Sequence, residues 1–172
     1  MTNFLQLAKE RFSVRNFAAD PIENEKLELI LEAGRVAPTA KNNQPQKVYV
    51  IQSPEVLGKI RSVCPCAYNA PLVLAIGYDK ERDWQNNLMP GYHSGETDAA
   101  IVCTHMMMEA WDLGIGSCWV GWFNADEVHE ALGLPANEVV TALLPLGYIA
   151  SGYSASANHA AVRPASETIA YL

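Results

Sequence analysis

Helical spacing of apolar residues dominates the first third of the chain and predicts three helices. Residues 3–10 place their apolar side chains on one face, which indicates a short first helix. Asn24 is the predicted cap of a second helix that ends before Pro38, and Ser53 is the predicted cap of a third that runs to about residue 62. Three small residues in the second helix are expected to admit a close neighbour: Ala33, Gly34 and Ala37.

Runs of β-branched and apolar residues predict the strands of a sheet. The predicted strands are residues 48–51, 72–77, 117–121, 139–146 and 168–172. The run at 72–77 is apolar throughout, which indicates a buried strand. Pro145 lacks the N–H group that a strand ladder uses, so it favours an edge position or a bulge for the strand that contains it.

The longest predicted helix, residues 97–113, is apolar nearly all round, and Gly114 is expected to end it. Such a helix is buried on most sides, in a core or in a dimer interface. Before it, residues 79–95 show little periodicity and are interpreted as a loop over a site. After it, Asn124 is the predicted cap of a further helix, and residues 150–161 are expected to be extended.

The order of these elements indicates the fold class. Helices and strands mix without a steady strand–helix–strand rhythm, which favours an α+β fold with a largely antiparallel sheet over a doubly wound one. The chain shows no repeat, no linker and no second domain along its 172 residues. We therefore expect a single domain over residues 1–172.

Composition and charge exclude several classes of partner. With 49% hydrophobic and 18% charged residues, the chain is expected to bury more than a typical monomer, and an obligate dimer is one way to do so. The net charge of −7 argues against nucleic acid or an anionic membrane as the main partner. No run is long enough for a membrane span and no signal peptide is visible. Four cysteines without paired CxxC motifs favour a reduced, cytoplasmic setting.

Positive charge is concentrated near the start of the chain. Seven of the twelve Lys and Arg residues lie within the first 47 positions, and none lies between Arg82 and Arg163. The cationic segment, Arg11-Phe12-Ser13-Val14-Arg15, places two guanidinium groups and a hydroxyl on one side if its backbone is extended. That face suits a phosphate and other oxygen ligands. Solvated surface charge is the alternative for this segment and for Arg163.

Several familiar catalytic motifs are absent or misplaced. Gly114-Ile115-Gly116 follows a helix and precedes a strand, the reverse of the order in a dinucleotide fingerprint, so a Rossmann site is rejected. No serine lies in a G-x-S-x-G elbow. The four histidines share no metal-ligand spacing and are interpreted as surface or core residues; they are His93, His105, His129 and His159.

Cys64 and Cys66 lack the second pair that a zinc site would need, although a redox or flavin-edge role stays open. The methionines at 106–108 are interpreted as core packing. Three further features remain: a polar loop at residues 39–45, Arg163, and a tryptophan segment at residues 119–122. With the cationic segment, they suit a phosphate, polyol oxygens and a flat heteroaromatic ring. No nucleophile–base pair accompanies them, which favours a cofactor as the source of reactivity.

Five motifs in chain order resemble those of the nitroreductase family of FMN-dependent oxidoreductases. The cationic segment with Asn16 and Phe17 is similar to the family's R-x-S-x-R/K-x-F motif, and residues 37–45 are similar to A-P-S-x-x-N-x-Q-P-W. The remaining three are Asn69-Ala70-Pro71 with its following strand, Gly114-Ile115-Gly116-Ser117-Cys118-Trp119-Val120-Gly121, and Leu146-Gly147-Tyr148 followed later by Arg163-Pro164. The resemblance covers nearly the whole chain.

The resemblance implies a three-layer sandwich, with a central, mostly antiparallel sheet flanked by helices, and a homodimer with FMN at the subunit interface. Arg11, Phe12 and Ser13 would hold the phosphate and ribityl end of FMN, and Arg163 would close on the phosphate. Arg15 would approach the pyrimidine edge, where a cation stabilises the charge of the reduced ring. Two further groups of residues are implied: Pro38, Thr39, Ala40 and Asn42, which would reach the flavin of the other subunit, and Trp119, Val120, Gly121 and Trp122, which would line the ring.

The activity implied by the resemblance is ping-pong hydride transfer from NADH or NADPH to flavin, and then to a nitroaromatic, a quinone or a similar acceptor. No side-chain acid or base is obligatory for it. A flavin store or sensor without turnover is the alternative from another class, and a reductive dehalogenase or a flavin-destroying enzyme is a specialised alternative. The sequence departs from the family at Gln46, at Trp122 and at Ala161, and in its short 79–95 loop. The acceptor and the nicotinamide preference are therefore left open.

Overall fold

The computed structural model describes residues 3–172. Its helices are α1 (Phe4–Glu10), α2 (Asn24–Arg35), α3 (Pro54–Val63), α4 (Gly95–Asp112), α5 (Ala125–Leu132) and α6 (Ala165–Thr168). Its strands are β1 (Gln46–Ile51), β2 (Leu72–Asp79), β3 (Gly116–Ser117) and β4 (Glu138–Gly147). Short 3-10 helices cover Ala40–Asn42, Pro65–Ala67 and Ala157–Ala160.

The strands form one sheet in the order β1-β2-β4-β3, and every neighbouring pair is antiparallel. The cationic segment adds one parallel bridge at the β3 edge, where Ser13 pairs with Ser117. The α+β class and the mostly antiparallel sheet are therefore confirmed.

Helices cover both faces of this sheet, because side chains alternate along the buried strand β2. Leu72, Leu74 and Ile76 pack in one hydrophobic cluster with residues of α2 and α4. Val73 and Ala75 pack in a second cluster with residues of α3 and α5. The result is the helix–sheet–helix sandwich that the resemblance implied.

The helix starts follow the capping chemistry of the sequence. The Ser53 hydroxyl accepts a hydrogen bond from Val56 N at 3.3 Å, and the Asn124 side chain accepts one from Asp126 N at 3.1 Å. The prediction for α2 was wrong by one residue, because Asn24 is its first residue and the cap position carries no side-chain bond. Caps act locally, so they are readable from sequence.

The small residues of α2 do admit a close neighbour. A Cβ atom at Gly34 would lie 2.7 Å from the Met106 side chain of α4. α4 was predicted to be buried on most sides, but only one face is buried. That face places Ala99, Val102 and Met106 in the core. Its opposite face is open and includes the exposed His105.

The prediction of an edge position for Pro145 was wrong, because β4 lies between β2 and β3. The Pro145 carbonyl oxygen accepts a hydrogen bond from Cys118 N at 3.3 Å, on the side of β4 that faces β3. Because the N–H and C=O groups of one strand residue point to the same side, the N–H group that proline lacks would also face β3. The short ladder of β3 has already ended there, at Ser117, which leaves no regular partner for that N–H. The register shift between β2 and β4 lies elsewhere, at Ile76 and Gly77.

Three other predicted extended segments differ from the structure. Within 117–121, only Ser117 belongs to the β3 ladder, and Val120 makes an isolated bridge to Leu143. Residues 150–161 contain the 3-10 helix Ala157–Ala160. The predicted strand at 168–172 was wrong: α6 ends at Thr168, and the exposed residues after it pair with no strand among residues 3–172.

None of the helices within residues 3–172 combines the length and the apolarity needed to cross a bilayer.

Candidate functional site

The cationic segment lies against β3 and the residues that follow it. Val14 N donates a hydrogen bond to Ser117 O at 2.9 Å, next to the Ser13–Ser117 bridge. Val14 itself is buried, while Arg15 is exposed. The segment therefore leaves α1 in an extended conformation, anchored by its one buried side chain.

The side chains of Arg11, Ser13 and Arg15 all act on the thiol of Cys118. Burial raises the pKa of the Cys118 thiol, whereas the charges of Arg15 and Arg11 and a hydrogen bond with Ser13 lower it. This shared neighbour places the three side chains together, as alternation along an extended segment predicted. Burial also lowers the pKa of Arg11, which is half-buried.

Neither arginine of this group has an acidic partner. Among residues 3–172, the ion pairs involve other Lys, Arg and His residues, and none includes Arg11 or Arg15. Placing a half-buried guanidinium group without an anion is unfavourable, because desolvation is not offset by a paired charge. The group therefore has the chemistry of a site that receives an anion.

The ring of Phe12 faces away from this group, into an aromatic cluster. It lies 5.1 Å from the Trp111 ring, 6.3 Å from the Tyr153 ring and 6.0 Å from the His159 ring, measured between centroids. The side chain is thus engaged in packing, and its backbone is what remains for a ligand. Sequence reasoning missed Trp111 and Tyr153 because they are distant along the chain.

Two hydrogen bonds tie the same region to the C-terminal part of the chain. The Tyr153 hydroxyl accepts a hydrogen bond from Arg15 N at 3.2 Å, and His159 Nε2 lies 3.0 Å from Lys9 O. The cationic segment is therefore held from both sides, by β3 and by residues 153–159. Arg163 lies four positions beyond His159 and is exposed.

Tyr68 is a second residue that sequence reasoning missed. It has a left-handed backbone conformation with φ of 51°. Burial and a hydrogen bond with Cys66 raise the pKa of Tyr68 to about 12, while a hydrogen bond with Arg15 opposes that rise. Tyr68 thereby lies beside the Arg15 guanidinium group, and the only local signal for it was the interrupted pattern around Cys66.

The polar loop forms a separate part of the candidate site. Lys41, Asn42 and Gln44 have positive φ angles of 51°, 55° and 50°. Ala40 N donates a hydrogen bond to the Asp98 carboxylate in α4 at 2.9 Å. The loop is thus fixed to the start of α4 and not to the cationic segment of the same protomer.

The tryptophan segment lines a cavity of about 400 Å³ next to the N-terminal end of α4. Its lining includes Trp119, Gly121, Phe123 and Thr141, and Glu96 contributes a carboxylate. Val120 is buried in the core, whereas Trp122 is 80% exposed. The alternation explains why 119 and 121 share the cavity and why the intervening Val120 does not.

The arrangement fits a phosphate linked to a flat ring. Arg11 and Ser13 supply the donors that a phosphate needs. Trp119 offers an apolar wall of the kind that a heteroaromatic ring packs against. Within residues 3–172, no cluster of three or more metal-ligating side chains is found.

Comparisons with known proteins agree with this fit. A family model described as the Nitroreductase family matches residues 8–65 and 63–148. An Archaeoglobus fulgidus protein with the provisional description NADH dehydrogenase/NAD(P)H nitroreductase is 31% identical over 158 residues, which cover 86% of each chain.

Two solved structures are similar over almost the full length. A nitroreductase family protein from Clostridium difficile 630 has a TM-score of 0.92 and 37% identity, covering 99% of this chain and 98% of that chain. A Desulfovibrio desulfuricans protein crystallised in complex with FMN has a TM-score of 0.83 and 26% identity, covering 100% and 98%. With its sheet, its cationic segment and these matches, the chain belongs to the nitroreductase family.

Proposed function

We propose that this protein is an FMN-dependent oxidoreductase that transfers hydride from NADH or NADPH to a small acceptor such as a nitroaromatic or a quinone. The observation that carries the proposal is the half-buried Arg11, beside Ser13 and Arg15, with no acidic partner among residues 3–172. A relative from Bacillus subtilis, an FMN reductase that uses NAD(P)H, is 28% identical over 152 residues and supports the cofactor. Those residues cover 78% of this chain and 61% of the relative.

In this proposal each group has a stated task. FMN, when bound, supplies the two-electron redox chemistry. Arg11 and Ser13 bind its phosphate and ribityl end, together with the Phe12 backbone, and Arg163 adds a second cation. Arg15 supplies positive charge beside the pyrimidine edge, where reduction of the ring develops negative charge. Trp119 and Gly121 of the tryptophan segment line the ring; because the Val120 side chain is buried in the core and Trp122 is exposed, Val120 and Trp122 would contribute through their backbone.

One cavity would serve the nicotinamide and the acceptor in turn, so we propose ping-pong kinetics. The cavity beside Trp119 and Phe123 is bounded by aromatic side chains, which suit flat substrates. No general acid or base is assigned, because the cofactor carries the reaction. Residues 1–172 would form one cofactor-binding domain in the cytoplasm, where the four free cysteines would stay reduced.

We also propose that the FMN site is completed by a second copy of the chain. A groove of about 720 Å³ runs between α1, α2 and α4, and its lining includes exposed apolar residues: Phe4 at 70%, Leu29 at 50% and Val36 at 62%. Apolar residues exposed together in this way favour an interface. In the dimer, Pro38, Thr39, Ala40 and Asn42 would reach the flavin of the other subunit.

The test is to purify the protein, release its cofactor with heat and identify it. We expect FMN, and we expect anaerobic NADH or NADPH to bleach the bound flavin, followed by reoxidation with an acceptor from a panel. A colourless protein that cannot be reconstituted with FMN would refute the proposal. A yellow protein that neither nicotinamide bleaches would instead favour a flavin store or sensor.

A further inference from the structure

The polar loop holds an unfavourable backbone conformation. Lys41, Asn42 and Gln44 are all left-handed, and none of them is glycine. Left-handed non-glycine residues cost free energy, and they persist only where the surrounding structure imposes them. Hydrogen bonds within the loop and contacts with other elements must therefore hold this conformation.

Hydrogen bonds within the loop supply part of the restraint. Gln44 N donates to the Thr39 hydroxyl at 3.1 Å, and Gln44 Nε2 donates to Asn42 Oδ1 at 3.1 Å. At the C-terminal end, Asp79 N donates to Pro45 O at 2.8 Å. Within the loop, Thr39 O and Ala40 O also accept hydrogen bonds from Asn42 N at 2.9 Å and Asn43 N at 3.0 Å, so these local bonds leave Ala40 N as the donor at the N-terminal end that bonds outside the loop.

Asp98 anchors that end. Its Oδ1 atom accepts the hydrogen bond from Ala40 N at 2.9 Å, directly before the first left-handed residue. Within residues 3–172, this is the one hydrogen bond from a side chain of another element to residues 39–45. The carboxylate is only 2% exposed, so water competes little for the contact.

The other carboxylate oxygen fixes Asp98 itself. Oδ2 accepts a hydrogen bond from the Ser94 hydroxyl at 2.8 Å, and that hydroxyl accepts one from Trp84 N at 3.1 Å. No Lys, Arg or His of the described residues pairs with Asp98. Burying a carboxylate that is hydrogen-bonded only by neutral donors costs free energy. Its charged oxygens nevertheless accept shorter and stronger hydrogen bonds than a neutral acceptor does.

We propose that Asp98 is a positioning residue of the cofactor site: through Ala40 N it fixes the left-handed polar loop in the conformation that contacts FMN. The inference rests on the proposed function, which assigns Thr39, Ala40 and Asn42 to the flavin. Asp98 touches neither cofactor nor substrate in this account. Asp98 orders the loop before FMN binds, so FMN binding does not have to offset the conformational entropy lost when the loop becomes ordered.

The experiment compares Asp98→Ala, Asp98→Asn and a matched control, Glu138→Ala. Glu138 is a buried carboxylate of similar exposure, 6%, paired with Lys47 at 3.0 Å and hydrogen-bonded by Tyr49, and it has no contact with the polar loop. FMN affinity is measured by reconstituting each apoprotein. Amide hydrogen exchange at Ala40 is measured on the same apoproteins.

We expect Asp98→Ala to raise the Kd for FMN by about tenfold or more and to speed exchange at Ala40. Asp98→Asn should recover most of the affinity, because its amide oxygen still accepts from Ala40 N. Glu138→Ala should lower the melting temperature yet leave both the Kd and the Ala40 exchange rate unchanged. Ser94→Ala, which spares the Ala40 bond, serves if Asp98→Ala does not fold; its Kd should lie between wild type and Asp98→Ala.

Two results would overturn the inference. One is an unchanged Kd and an unchanged Ala40 exchange rate in Asp98→Ala, or in Ser94→Ala if it replaces that variant. The other is an equal rise in Kd for Glu138→Ala, which would indicate general loosening. If the wild-type protein binds no FMN, the proposed function fails, while exchange at Ala40 still decides whether Asp98 fixes the loop.

Discussion

Arg11 is the residue on which anion binding at this site most depends. It leaves the C-terminal end of α1, where its backbone N donates to Leu7 O at 3.0 Å, and it is half-buried beside Cys118. Burial lowers the pKa of Arg11 from its usual value, but guanidinium stays charged near neutral pH. A charged donor with little water around it gains more from a phosphate than an exposed one does.

We expect Arg11→Ala to weaken FMN binding by roughly 10- to 150-fold, the equivalent of about 1.5–3 kcal/mol for a hydrogen bond to a charged group. The measurement is fluorescence titration of the apoprotein with FMN. Arg82→Ala is the control, because that side chain is 70% exposed and pairs with Asp79 at 3.6 Å. Equal affinities for Arg11→Ala and wild type would contradict the assigned role.

At the scale of elements, glycine sets how closely β2 and β4 pair. The register between them shifts between Ile76 and Gly77. A Cβ atom at Gly77 would lie 1.8 Å from the backbone oxygen of Val139, which cannot move without displacing its strand. The irregularity lies at the end of β4 that lines the cavity, through Val139 and Thr141.

We expect Gly77→Ala to lower the free energy of unfolding by at least about 2 kcal/mol, since it forces overpacking against backbone. Gly58→Ala is the matched control: it lies within α3, and a Cβ there meets nothing within 4 Å. That variant should gain about 0.5–1 kcal/mol, because alanine favours helix. Urea unfolding followed by circular dichroism measures both, and a Gly77→Ala protein as stable as wild type would refute the expectation.

At the scale of the whole molecule, the two parts of the candidate site lie apart within one protomer. The cationic segment lies at the β3 edge, whereas the polar loop is anchored to α4 by Asp98. The exposed apolar groove between α1, α2 and α4 offers a surface through which a second copy could bring the two parts together. Association and cofactor binding are therefore expected to be linked.

We expect Leu29→Glu to raise the dimer dissociation constant by at least roughly 30-fold, the equivalent of about 2 kcal/mol at the centre of an interface. FMN affinity should fall in parallel as the protein becomes monomeric. Analytical ultracentrifugation and FMN titration at matched concentrations measure the two effects. Leu88→Glu is the control, since Leu88 is 90% exposed and lies outside the groove. A monomeric wild type that binds FMN tightly would contradict the linkage.

Local signals explain which elements were predictable. The apolar run of β2 and the caps at Ser53 and Asn124 depend on neighbouring residues alone, so their elements were found nearly in place. The edge position predicted from Pro145 was wrong, because the position of a strand in a sheet depends on partner strands that are distant along the chain. The predicted strand at 168–172 failed for the same reason: its apolar residues find no partner strand among residues 3–172.

The sequence by itself determined the α+β class, the family motifs and the grouping of Arg11, Ser13 and Arg15, because alternation and spacing are local properties. Only the tertiary structure decided that the Phe12 ring packs with Trp111, that Tyr68 lies beside Arg15, and that Asp98 holds the polar loop. Each of these contacts joins residues more than 50 positions apart, and such contacts form only when the whole chain has packed.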